Sequence, residues 1–169
     1  ELNKEQMPED TILAYYTDRL KDLEKIIRDN DLVSLPDVDA IIRLATEAES
    51  AAVPAPFMSP PQLIGNTGQP GEFVLVTKNP TDESGEPMTD FGSPASTWSL
   101  TAHEARPGHE MQFAAMVENG ISQARVIYAF NSANVEGWGL YSEAMVQQYL
   151  PLEAQLFGLK QRLMRAARA

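Results

Sequence analysis

Cysteine is missing from this chain of 169 residues. Disulfide scaffolds, thiolate metal sites and cysteine nucleophiles are therefore excluded, while the redox compartment stays open. No apolar run reaches the roughly eighteen residues that a membrane-spanning helix needs. Positive charge is scarce. The 13 Lys and Arg residues face 24 Asp and Glu, for a net charge of -11. Such a surface repels duplex nucleic acid, and no basic run interleaved with aromatics offsets it, so no nucleic-acid partner is expected. The opening ELNKEQMPED lacks the pattern of a signal peptide. The chain has no initiator methionine, and its last residues, RLMRAARA, read as the middle of a helix. Together these features suggest an excised fragment.

What is present is an ordinary globular composition, 43% apolar and 22% charged. The length suits a single domain with a hydrophobic core. Pro8 to Thr11 form a plausible helix start, and Ile12, Tyr16, Leu20, Leu23 and Ile27 then recur at helical spacing up to Asn30-Asp31. IIRLA at 41–45 reads as a short strand, and FVLVT at 73–77 as a clearer one. The Pro- and Gly-rich stretch 52–72 is expected to be irregular, and the acidic loop NPTDESGEPMTDFGSP to be solvated. A helix begins near Pro94, another follows a Pro-Gly pair and ends at Gly120, and a third runs from about Gln123 to Leu150, with an interruption near Asn131-Ser132. Pro151 opens a last helix, with Leu152, Leu156, Leu159 and Leu163 on one side. The predicted fold class is mainly α with a small β-sheet.

The only two histidines lie in HEARPGH, His103 and His109, with Glu104 beside the first. Neutral imidazole is a good Zn2+ ligand, and an adjacent glutamate can take a proton from an attacking water. The usual zinc helix spaces its histidines four apart, about 40 degrees around the axis; a spacing of six separates them by about 120 degrees. Two imidazoles so placed do not converge. Pro107 cannot donate to the carbonyl of His103, and Gly108 takes backbone shapes other residues resist. The Pro-Gly pair is therefore expected to break the helix and swing His109 back. A continuous helix from 98 to 118 would contradict this.

A catalytic zinc site needs a third protein ligand. NVEGWGLYSE offers Glu136 and Glu143, seven apart and able to share a helix face. Glu136 is the expected ligand, and Glu143 the residue that orients a histidine through its second ring nitrogen. Gly137 and Gly139 are costly inside a helix and make sense where a neighbouring helix comes close. Trp138, Leu140 and Tyr141 read as packing residues. Arg106 and Arg125 are either solvent-facing or available for a substrate carboxylate or developing negative charge.

HEARPGHEMQ and EGWGLYSE together resemble the bacterial family known as domain of unknown function 885, which looks like a branch of gluzincin-type zinc metallopeptidases. Weaker echoes occur at AYYTDRL, DLVSLPD, PAPF and the RAAR ending. Gly139 stands where the family's EGWALY pattern has alanine, a mild departure. The resemblance implies a fragment of a larger helical metallopeptidase-like fold, with residues 1–169 belonging to its catalytic region. It implies Zn2+ held by His103, His109 and Glu136, with Glu104 as general base. It also implies an edge strand that holds the substrate backbone, for which FVLVT is the natural candidate. The parent is expected to be exported to the periplasm or anchored in the cell envelope, with the cytoplasm as the alternative.

The expected function is thus hydrolysis of a peptide substrate, with Arg125 or Tyr141 stabilising the oxyanion. One rival is a glycoside hydrolase using Glu104 and Glu136 as paired carboxylates, which leaves the two histidines unexplained. The other is a non-catalytic structural or binding fragment.

Overall fold

The computed structural model describes residues 6–77 and 91–168. Most of the acidic loop, 79–90, lies outside them. The apolar stripe read from the sequence becomes helix α1 (Ile12–Asp29), with Ile12, Tyr16, Leu20, Leu23 and Ile27 all buried. Burying five such side chains stabilises the fold by roughly 1.5–3 kcal/mol each before the entropic cost of ordering them. The stripe serves two cores. Ile12, Tyr16 and Leu20 pack with Phe73 and Leu75, whereas Leu23 packs with Trp98, Ala102, Val146 and Ala154. The guanidinium of Arg19 lies 4.3 Å above the Trp98 ring.

The sheet has three strands, β1 (Ile41–Leu44), β2 (Phe57–Ser59) and β3 (Glu72–Leu75), in the order β1-β3-β2. β3 runs parallel to β1 and antiparallel to β2. Its position between two partners explains why Phe73, Val74 and Leu75 are buried. It also overturns the edge-strand reading of FVLVT, because both edges of that strand are already paired. The sheet's edges belong to β1 and to β2, and β2 lies inside the stretch expected to be irregular. Helix α2 (Glu47–Ala52) precedes it, started by a reciprocal capping box between Thr46 and Glu49. Arg43 of β1 ties this corner together through Glu49 and Glu72, at 2.7 and 2.9 Å.

Among the described residues five further α-helices complete the architecture: α3 (Pro94–Glu104), α4 (His109–Glu118), α5 (Gln123–Tyr128), α6 (Ser132–Val146) and α7 (Leu152–Ala166). α3 is the hub and packs against α1, α6 and α7. Ser93 caps it and Pro94 opens it. Gly92 and Ser93 are buried, unlike the solvated loop expected there, because Met7 donates to the Gly92 carbonyl and Tyr16 to that of Phe91. α7 forms as expected, but its leucines face outward. Leu152 is 65% exposed and Leu163 70%, while Ala154, Phe157 and Gly158 supply the buried side. Among the described residues no helix is long and apolar enough to cross a membrane.

Candidate metal centre

The chain breaks where HEARPGH requires it. α3 ends at Glu104, and α4 begins at His109. Between them, Ala105 leaves the helical region, and the Arg106–Pro107 peptide is cis. Gly108 is needed here for closeness rather than for a left-handed backbone. A Cβ at this position would lie 1.8 Å from the carbonyl oxygen of His103.

Arg106 holds the bend from inside, which corrects both readings of it as a surface or substrate-facing charge. Its guanidinium is 2% exposed. It donates to Glu110 at 2.8 Å, to Glu24 of α1 at 2.7 Å and to the carbonyl of Val38. Glu110 is itself fully buried. Burial keeps the Glu110 carboxyl above its ordinary value despite its Arg106 contacts, whereas for Arg106 the contacts with Glu110 and Glu24 outweigh burial and raise the guanidinium above its own. From the other side, α6 grips the bend. Trp138 donates to the carbonyls of Pro107 and Gly108, and Ser142 donates to that of Pro107.

These contacts bring the two imidazoles together edge to face, with ring centroids 4.7 Å apart. His103, Glu104 and His109 can offer ligand atoms that all lie within 4.8 Å of one another. Glu136 faces the same place. Its carboxylate is 3.4 Å from Nε2 of His103 and 3.8 Å from Nε2 of His109. Glu143 lies behind, 2.7 Å from Nδ1 of His103. Ser99 and Arg165 donate to that carboxylate at 3.3 and 2.9 Å. Gly139 completes the pocket. A Cβ there would be 2.6 Å from Cε1 of His103, so the missing side chain leaves room for the ring. Nothing crowds Gly137 among the described residues, so the close-approach reading applies only to Gly139.

The electrostatics suit a cation. Burial lowers the pKa of His103, but the Glu143 hydrogen bond and the charges of Glu104, Glu143 and Glu136 together hold it above its ordinary value. Burial and the neighbouring His103 keep His109 below its own. Burial pushes Glu104 up to about 7, aided by Glu136 and opposed by His103 and a hydrogen bond from the Met58 backbone. Glu143 is held low: burial would raise it, but the His103 and Arg165 contacts outweigh that. His109 also has a buried Nδ1 with no partner among the described residues. Two imidazoles and a carboxylate are a common donor set for Zn2+, and the residues present fit such an ion.

The family model of bacterial proteins of unknown function, DUF885, matches residues 1–169. The chain belongs to the DUF885 family. Two solved structures share the fold of this DUF885 chain. The "putative lipoprotein" from Colwellia psychrerythraea superposes with a TM-score of 0.69 at 22% identity, over 93% of this chain and 26% of that one. A second such protein, of unknown function, from Shewanella oneidensis gives 0.72 at 19%, over 96% of this chain and 29% of that one. The DUF885 chain thus spans under a third of the length of these relatives. No curated protein matches it at a significant level.

The other site residues read from the sequence lie further out. Tyr141 is 59% exposed and stacks obliquely with Trp138, and Leu140 is 37% exposed, so neither belongs to the buried core. Arg125 lies on α5 and lines a cleft against α4 and α6. Two residues escaped the sequence reading. Arg165 holds Glu143 from α7; the RAAR echo contained it but gave it no task. Met58 reaches Glu104 through its backbone, which side-chain identity cannot signal.

Proposed function

We propose that this DUF885 chain holds a divalent cation, taken as Zn2+, between His103, His109 and Glu136, and that the centre hydrolyses peptide bonds. The observation that carries the reading is the convergence of His103, Glu104 and His109 within 4.8 Å across a broken helix. Metal binding follows most directly from it. The peptide bond as target rests also on the resemblance to gluzincin-type peptidases.

Two carboxylates compete for the third ligand position. Glu136 faces both Nε2 atoms, which favours it as the ligand. Glu104, with its carboxyl near 7, is suited to take and return a proton around neutral pH. When bound, Zn2+ supplies Lewis acidity toward the scissile carbonyl and the attacking water. Glu104 accepts the proton from that water and delivers it to the leaving amine. Glu143 orients the His103 ring. Arg125 and Tyr141 are the candidates to steady the oxyanion. β2 replaces FVLVT as the strand to hold the substrate backbone, since Met58 already reaches Glu104. The lipoprotein descriptions of the two solved relatives support a cell-envelope location for the parent protein.

A second reading, a metal-holding but non-catalytic structural or binding fragment, is favoured by one observation. The chain covers only 26% and 29% of the solved relatives, and the rest of such a protein can supply parts of a cleft. Elemental analysis separates the readings in stages. About one zinc per purified chain is expected, and His109→Ala should lose it. Absence of zinc after growth in excess zinc would end the metal reading. Zinc binding without any peptide hydrolysis that Glu104→Gln abolishes would leave the second reading in place.

A further inference from the structure

Beside the candidate metal centre, a cleft of about 770 Å³ opens between α4, α5 and the start of α6. That is within the size range of sites that take a small ligand. Its walls include Phe113, Met116, Val126, Phe130 and Val135. None of the metal-centre side chains lines it, but two of its lining residues neighbour them along the chain. Val135 directly precedes Glu136, and Gln112 lies one helical turn beyond His109. The side chains of Gln112 and Asn134 meet at 3.4 Å at this end of the cleft.

Arg125 gives the apolar cleft its charge. Arg19, Arg28, Arg43, Arg106 and Arg165 each hold a carboxylate of the chain. Among the described residues Arg125, like Arg162 and Arg168, holds none, but of these three it alone lines this cleft. An uncommitted guanidinium in an apolar cleft is a receptor for a carboxylate joined to an apolar group.

We propose that this cleft binds the C-terminal residue of a peptide substrate. A large apolar side chain lies against Phe113, Met116 and Val135, and the free α-carboxylate pairs with Arg125. The substrates of the centre are then peptides ending in a large apolar residue. That the ligand is a peptide rests on the hydrolase reading above; the cleft's preference for an apolar carboxylate does not require the metal.

Calorimetry on the full chain, freed of metal, tests this with four probes: N-acetyl-L-phenylalanine, its amide, N-acetylglycine and octanoate. N-acetyl-L-phenylalanine is expected to bind at least about tenfold tighter than each of the others, in line with one charge-assisted bidentate contact and one buried aromatic ring. Arg125→Gln should erase the preference of acid over amide. Met116→Trp, which narrows the cleft, should weaken binding of all four. Should Met116→Trp fail to fold, the exposed Arg125 site decides the matter alone. Equal binding of acid and amide, or a preference that survives Arg125→Gln, would overturn the proposal. Octanoate binding as tightly as N-acetyl-L-phenylalanine would overturn the peptide assignment in favour of a fatty acid. A chain that shows the expected preference yet takes up no zinc would sink the metal reading and leave the cleft standing.

Discussion

The indole N–H of Trp138 donates to the carbonyl of Pro107 at 2.9 Å. This bond links the two motifs that carry the candidate chemistry. It sets α6 in register against the broken helix, so that Glu136 meets the front of the imidazoles and Glu143 the back of His103.

The Glu143 contact should matter for metal more than for fold. Replacing an orienting carboxylate typically costs 10- to 100-fold in metal affinity, and Glu143→Gln is expected to weaken zinc by about that factor. Chelator competition measures it, with circular dichroism confirming the fold. Unchanged zinc affinity would show that Glu143 does not orient His103 for a metal.

Arg106 should matter for fold before anything else. Arg106→Met leaves Glu110 buried without its cation, and breaking a buried pair in this way costs about 3–5 kcal/mol. Urea unfolding of the single variant and of Arg106→Met with Glu110→Met checks the cause. The double variant is expected to recover part of the loss, because no unpaired charge remains at position 110. A double variant as weak as the single one would mean that the Glu24 and Val38 contacts matter more.

Glu104 predicts a pH dependence of the metal-free chain. Its folded pKa of about 7 lies above the ordinary 4.5. Between these values the native state binds more protons than the unfolded one, so stability falls as pH rises. The Glu104 contribution is fully present below about pH 4.5 and lost through about pH 7. A rise of this size amounts to roughly 3 kcal/mol. Relative to Glu104→Gln, the wild-type chain should lose this much between pH 4.5 and 8. Parallel stability curves for the two proteins would refute the assignment.

Gly139→Ala should move stability and metal affinity in opposite directions. Alanine favours the helix by about 1 kcal/mol. Its Cβ, however, enters the space of the His103 ring, 2.6 Å from Cε1. The expected result is a melting temperature equal to or above wild type, with zinc bound more weakly in this chain, whose His103 ring occupies the space that the alanine of the EGWALY pattern would need. Equal zinc affinity would show that the ring has room to move without leaving its ligand position.

The features legible in the sequence were those set by neighbours along the chain. The period of Ile12, Tyr16, Leu20, Leu23 and Ile27 specified α1 and its buried face. Pro107 and Gly108 required a break between the histidines, because a missing N–H and a missing Cβ act within one turn. The Thr46–Glu49 capping box was also there to be read, though it is overlooked beside the apolar pattern. Tertiary structure decided the rest. Whether FVLVT lies at the edge or the centre depends on which strands pair with it, and β2 pairs from a Pro-rich stretch. The task of Arg106 depends on Glu24, 82 residues away in sequence, and on burial that no local pattern encodes. The leucines of α7 keep a helical period but face outward, because Ala154, Phe157 and Gly158 give the closer fit to the core. Local covalent geometry placed the bend; only packing across the chain brought Glu136, Glu143 and Arg165 to it.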